Sequence, residues 1–138
     1  MKAGSSGFGP SLIELVAAVL LFALCSAVCV RIFAGAKQIS DDAADLSRAA
    51  AAAQSAAECF KSCGGDAAGT ARLLGGSSEG AGFSVYYDEG WILADSGKYS
   101  LCGKITEEHG LRLCQISVTD GKKEIFGMTA ASHCEVTP

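Results

Sequence analysis

The sequence predicts an α+β protein: a long N-terminal helix, transmembrane in its first half, packed on a small antiparallel β-sheet. Three observations lead there. An uncharged apolar run lies near the N-terminus, a helical stripe continues beyond it without a proline, and short strand-like runs alternate with turn residues in the C-terminal half. The chain has 138 residues and a formal net charge of -4. That length is one domain's worth of protein. The acidic balance argues against a general nucleic-acid binder, which would carry a basic stripe.

Residues 1–9 read as a short polar leader with one basic residue, Lys2. Pro10 suits the first turn of a helix, where its missing N–H is no loss. From Leu15 to Val30 there is no charge. With Ser11, Leu12, Ile13 and Glu14 the segment reaches the ~20 residues a helix needs to cross a bilayer. It lacks the polar face of a soluble amphipathic helix, so a membrane span is expected over residues 12–33 or thereabouts. A secretory signal peptide would carry its small-residue cleavage site after the apolar run, and Ser26-Ala27 mimics one. Yet Arg31 and more helix follow, while the glycines and serines cluster before the run, at Gly4 to Gly9.

The helix is expected to continue past the membrane. Ile32, Ile39, Leu46, Ala53 and Phe60 recur at heptad spacing, and Ala36, Ala43, Ala50 and Ala57 form a second column beside them. Lys37, Asp41, Asp42, Asp45, Arg48, Glu58 and Lys61 fall off this stripe. The run Ala49–Ala53 has the highest helix propensity available. Gly64-Gly65 supplies the stop. A helix over residues 11–63 would be roughly 80 Å long at ~1.5 Å per residue. That is too long for a compact domain of this size, so about half of it must lie in lipid or against other chains. The leucine-rich seam and flanking charge pairs of a two-stranded coiled coil are missing.

The rest reads as a sheet domain over residues 64–138, after a leader at 1–9 and a helix at 10–63. Asp66 to Leu74 is a short helix capped by Asp66, and Gly75 to Gly82 a connector. Phe83–Tyr87 and Trp91–Ala94 flank a turn at Asp88-Glu89-Gly90, and Tyr99–Glu107 and Leu111–Thr119 flank His109-Gly110. Asp120-Gly121, a strong hairpin signal, leads to Glu124–Ala131. The expected result is a meander of about four or five strands, with one face covered by the striped half of the helix.

There are seven cysteines. Cys25 and Cys29 lie in the apolar segment. Cys59, Cys63, Cys102, Cys114 and Cys134 lie beyond it, an odd number that leaves one thiol free or paired between chains. A hairpin around His109-Gly110 sets Cys102 opposite the region of Ser117, which excludes a Cys102–Cys114 bridge. Cys59 and Cys63 are better placed to meet Cys134 if the last strand returns to the helix end. No Cys-x-x-Cys is present, and only His109 and His133 could join a metal site, so no metal or other cofactor is expected.

Glu14 is the informative residue. A carboxylate deep in a bilayer costs on the order of 2.5–3.5 kcal/mol and normally has a partner. A cut after Gly9 would create an α-amino group on Pro10, four residues before Glu14. That amine could pair with Glu14 of the same or a neighbouring helix. The other reading is a glutamate that snorkels to the interface. The string Gly9-Pro10-Ser11-Leu12-Ile13-Glu14-Leu15, followed by an apolar helix, resembles the prepilin cleavage and methylation motif of type IV pilin-like and pseudopilin subunits. The resemblance covers residues 7–60 or so, and the sheet only in outline. A weaker likeness, over Tyr86-Tyr87-Asp88-Glu89 to Thr119-Asp120-Gly121-Lys122, is to small pilin-like proteins of Gram-positive bacteria.

The resemblance implies a glycine that ends the leader and a glutamate as fifth residue of the mature chain. It implies cleavage between Gly9 and Pro10 by a membrane prepilin peptidase, which also methylates the new amine. Glu14 would then neutralise a neighbour's N-terminus during assembly. The usual first mature residue is phenylalanine or another apolar residue, and here it would be Pro10. A cut between Gly7 and Phe8 would restore it but displace Glu14 by two positions, so the Gly9–Pro10 bond is the expected site.

The family places the N-terminus in the cytoplasm. Lys2 and the terminal amine against Arg31 and Lys37 do not decide orientation by themselves. The implied partners are the prepilin peptidase, other pilin or pseudopilin subunits, an inner-membrane assembly platform and the lipid bilayer. The implied location is the cytoplasmic membrane, single-pass, then an extracellular or cell-surface filament. The expected role is a minor pilin or pseudopilin of a type IV pilus, type II secretion or DNA-uptake machine. The alternatives are a tip adhesin using Trp91, Tyr86, Tyr87 and Tyr99, and an unprocessed single-pass protein that keeps residues 1–9. An enzyme is not expected: Gly97-Lys98 lacks the upstream glycine of a phosphate loop, and neither histidine has a catalytic context.

Overall fold

The computed structural model describes residues 8–133. The first helix, α1, spans Phe8–Ser62. The chain divides into two compact units, Met1–Asp42 and Ala43–Pro138, so the boundary falls within α1.

In the first unit, every residue from Ser11 to Asp42 is exposed, including Leu20, Leu24, Phe22 and Phe33. An 18-residue window of the helix has a mean hydropathy of 2.6, with none of it buried. A continuous exposed apolar surface of this kind marks a surface that meets lipid or another chain. The helix is long and apolar enough to cross a membrane.

In the second unit the helix has a different chemistry. Ala49, Ala53, Ala56, Ala57 and Phe60 are buried and form one face, with Ala52 partly buried beside them. This face is the i, i+3, i+4, i+7 repeat of an amphipathic helix. It keeps Ala53, Ala57 and Phe60 of the expected stripe but is rotated from it. Leu46 and Ala43 are exposed, and Ala49 and Ala56 take their place. The heptad columns give the spacing but not the phase, because the alanines of this stretch, Ala49–Ala53 above all, fall on every side of the helix.

Gly64 and Gly65 end the helix, both in the left-handed region that disfavours a Cβ. The second helix, α2, spans Ala67–Leu74. Its N-cap Asp66 accepts a 2.8 Å bond from the Gly69 amide, as expected of an aspartate there, and Gly75 closes its C-terminus.

Six strands follow among the described residues: β1 (Ser77–Glu79), β2 (Gly82–Tyr87), β3 (Leu93–Ala94), β4 (Tyr99–Glu108), β5 (Leu111–Thr119) and β6 (Glu124–His133). They form one antiparallel sheet in the order β1-β2-β4-β5-β6, with β3 beside β2. The sheet therefore has more strands than the expected meander. The connector expected over Gly75–Gly82 holds β1, which folds back on β2 through Gly80 at φ 56. The strand expected at Trp91–Ala94 shrinks to Leu93–Ala94, because Trp91 sits at φ 62, outside strand geometry. The last strand runs two residues further than expected, to His133.

The inner face of the sheet carries Phe83, Val85, Leu101, Cys114, Ile116, Val118 and Ala130, which meet the alanine face and Phe60 of α1 in one core. The outer face carries Ser84, Ser100, Cys102, Gln115, Ser117 and Thr129. Such clean alternation is expected of a sheet with one solvated side. Gly103 belongs to the inner face, and a side chain there would strike the Phe83 ring.

Candidate functional site

Gly9 and Pro10 lie in the first turn of α1, a position that suits proline. Glu14 follows one turn later and is exposed. It is the only charged residue between Pro10 and Arg31. Arg31, the next basic residue along α1, is about 25 Å away at ~1.5 Å per residue. Among the described residues Glu14 has no ion-pair partner, since the single salt bridge joins Arg112 and Glu107 at 3.9 Å. The helix thus presents one carboxylate at the head of an uncharged span.

The cysteines separate by environment. Cys25 and Cys29 are exposed on the apolar segment. Cys102 pairs in register with Ser117, as the hairpin count requires, and is exposed on the outer face. Cys114 pairs with Ile105 and is sealed in the core. The two sulfurs therefore lie on opposite faces of the sheet, which rules out a bridge between them. Burial pushes the Cys114 thiol up to about 11. Cys59 and Cys63 are half-buried at the end of α1. Burial raises the Cys59 pKa, and the neighbouring Cys63 and Glu58 add to the effect. Cys134, their expected partner, lies outside the described residues.

The aromatics are mostly spent on packing. Trp91 stacks on Tyr99 with ring centroids 4.1 Å apart, and Tyr87 tilts against Trp91 at 5.9 Å. The Tyr99 hydroxyl donates to Asp45 Oδ2 at 2.9 Å, and Trp91 Nε1 donates to Asp45 Oδ1 at 3.3 Å. Burial, and then the Asp45 hydrogen bond, raise the Tyr99 pKa. Only Tyr86, of the four aromatics considered for an adhesive surface, is exposed.

By heptad spacing Asp45 falls with the charges off the helical stripe. It stands one turn before Ala49 and so on the buried face, where it takes both polar handles of the aromatic pair. The available signal was the polar need of a buried tyrosine and tryptophan. What hid it was the phase of the alanine stripe.

Comparison with protein-family models, curated proteins and solved structures returned no match. What stands is a long N-terminal apolar helix, its second half packed on an antiparallel sheet, an architecture compatible with a membrane-anchored pilin-like protein.

Proposed function

We propose that the chain is a minor pilin or pseudopilin, a structural subunit and not an enzyme, anchored in the cytoplasmic membrane and packed through α1 into a filament. The observation that carries this reading is Glu14: the sole charge at the head of a fully exposed apolar helix, five residues after a glycine that ends a polar leader. Prepilin peptidase cleaves between Gly9 and Pro10 and methylates the new amine. Subunits then leave the bilayer through an assembly platform. During docking, Glu14 of one subunit neutralises the terminal amine of its neighbour. The α+β fold supports the reading because α1 serves both purposes. Its apolar half is left for lipid or other subunits, and its alanine half completes the core of its own sheet.

The experiment compares Glu14→Ala and Glu14→Gln with the wild type in cells that carry the native assembly machine. Neither variant disturbs the core, which begins at Ala49. Both should insert in the membrane, with insertion unchanged or improved because a costly charge has gone. Both should fail to enter filaments, because a neighbour's amine keeps a desolvation cost of several kcal/mol without its partner. The measured quantity is the ratio of sheared-filament to membrane-bound subunit. Equal ratios for wild type and variants would reduce Glu14 to a snorkelling residue and remove the main support for the reading. An N-terminal mass that keeps residues 1–9 in cells with an active peptidase would favour an unprocessed single-pass protein, and Gly9→Val should produce that state deliberately.

A further inference from the structure

We propose that Cys59 and Cys63 form an oxidisable dithiol that closes to an intrahelical disulfide at the C-terminal end of α1. The two residues are one turn apart on the same helical face, and both are half-buried. In a regular helix, Cα atoms at this spacing are about 6 Å apart, within the ~4.4–6.8 Å that a disulfide spans. The Cβ atoms are the obstacle. They lie about 5–6 Å apart in a helix, and a disulfide needs about 3.8 Å. Closure therefore requires the last turn to tighten.

This helix end is built to allow that. Cys63 follows Ser62, the last α-helical residue, and still donates its amide to the Cys59 carbonyl at 3.0 Å. The next two amides close a glycine cap, Gly64 donating to the Lys61 carbonyl at 3.1 Å and Gly65 to the Phe60 carbonyl at 2.9 Å, so no further turn of helix holds Cys63 from its C-terminal side. Gly64 and Gly65 follow with positive φ, and nothing stands within 4 Å of the Gly64 Cβ position. Gly69 of α2 leaves room for the Cys63 sulfur, which a side chain at that position would crowd at 3.2 Å. Cys25 and Cys29 have the same spacing but lie deep inside regular helix, without a terminus to tighten. They are the control within the same molecule. Among the other described thiols outside the apolar segment, Cys102 is on the far side of the sheet and Cys114 is sealed in the core.

The reaction uses a disulfide as oxidant. One thiolate of the pair attacks a sulfur of glutathione disulfide, forms a mixed disulfide and expels one glutathione thiolate. The second thiol, as its thiolate, attacks the mixed disulfide and expels the other glutathione. Two protein thiols are oxidised, one glutathione disulfide is reduced to two thiols, and the two protons pass to solvent and the leaving thiolates. The chemistry does not need filament assembly, so its test is independent of the Glu14 experiment.

Purified full-length protein in detergent is incubated with glutathione disulfide, alkylated and digested with trypsin without reduction. Cleavage after Lys61 separates the two cysteines, so the proposal expects Ala49–Lys61 joined to Ser62–Arg72 and released by reduction. Cys25 and Cys29 should be recovered alkylated. Cys59→Ser and Cys63→Ser should each stop at a single retained glutathione, because the resolving thiol is gone. A bridge from Cys59 or Cys63 to the Glu124–Pro138 peptide, which carries Cys134, would overturn the proposal. So would recovery of Cys59 and Cys63 alkylated to the same extent as Cys25 and Cys29.

Discussion

The two halves of α1 share one helix and solve opposite problems. Between Ser11 and Asp42, large apolar residues are exposed all around, among them Phe22 at 75% and Phe33 at 79%. From Ala43 to Ser62 the helix is rich in alanine, yet it makes the core, with Ala49, Ala53, Ala56 and Phe60 at 0% exposure. Among the described residues the bulky half buries nothing, whereas the small half buries one face against the sheet. Side-chain size explains the division. Alanine lets a helix approach a sheet closely, so the sheet supplies the large core residues: Phe83, Val85, Leu101, Ile116 and Val118. Leucine, valine and phenylalanine on every side suit a solvent that is itself apolar.

Matched phenylalanine truncations give the sharpest test of this contrast. Phe60→Ala empties the largest buried position of α1 and should cost about 3–5 kcal/mol. Phe22→Ala in the exposed half should leave the stability of the sheet domain unchanged within about 0.5 kcal/mol. Denaturant unfolding in detergent, followed by Trp91 fluorescence, measures both. A comparable loss in the two variants would mean that the halves are not separate in their energetics.

Asp45 gives a smaller effect at the place where the second unit begins. Asp45→Ala strands the Tyr99 hydroxyl, in a residue only 2% exposed, and frees the Trp91 indole. The expected cost is about 1–3 kcal/mol, with a shift of the Trp91 emission. Asp41→Ala, one turn earlier and exposed, should do neither. An unchanged unfolding curve for Asp45→Ala would assign the aromatic cluster's stability to stacking alone.

Alkaline pH gives the most gradual effect. The Cys114 thiol is raised by burial from the model-compound value of 9.0 to about 11, so the unfolded chain releases this proton first. Stability should be level below pH 9 and fall between pH 9 and pH 11 by up to ~1.4 kcal/mol per pH unit from this group. Tyr87 and Tyr99, also raised by burial, push in the same direction at higher pH. Cys114→Ala should flatten the first part of the fall. In the native state, Cys102 should react readily with a thiol reagent while Cys114 stays protected. Equal reactivity of the two would contradict the assignment of opposite sheet faces.

Much of this was legible in the sequence because it rests on local rules. An uncharged run of membrane-spanning length, the Gly64-Gly65 stop, the Asp66 cap and the turns at His109-Gly110 and Asp120-Gly121 each act within a few residues. The structure has them where they were expected. The Cys102–Ser117 register followed from turn position alone, since a hairpin's pairing is fixed once its turn is fixed. The Gly9, Pro10 and Glu14 spacing is likewise a property of the string.

Other features were decided only when distant segments met. The face of α1 that is buried could not be read from a stretch whose alanines fall on every side of the helix; contact with the sheet selected Ala49 and Ala56 over Ala43 and Leu46. The β1 strand depends on β2 for its hydrogen bonds and has no apolar pattern of its own. Trp91 adopts its left-handed φ where Tyr99 and Asp45 hold its ring. Asp45 became a buried-face acceptor only because Tyr99, 54 residues later, needed one. Local order is set by propensity, capping and turn chemistry, which the sequence carries residue by residue. Phase, partner and burial are properties of pairs of surfaces, and they exist only after the chain has brought those surfaces together.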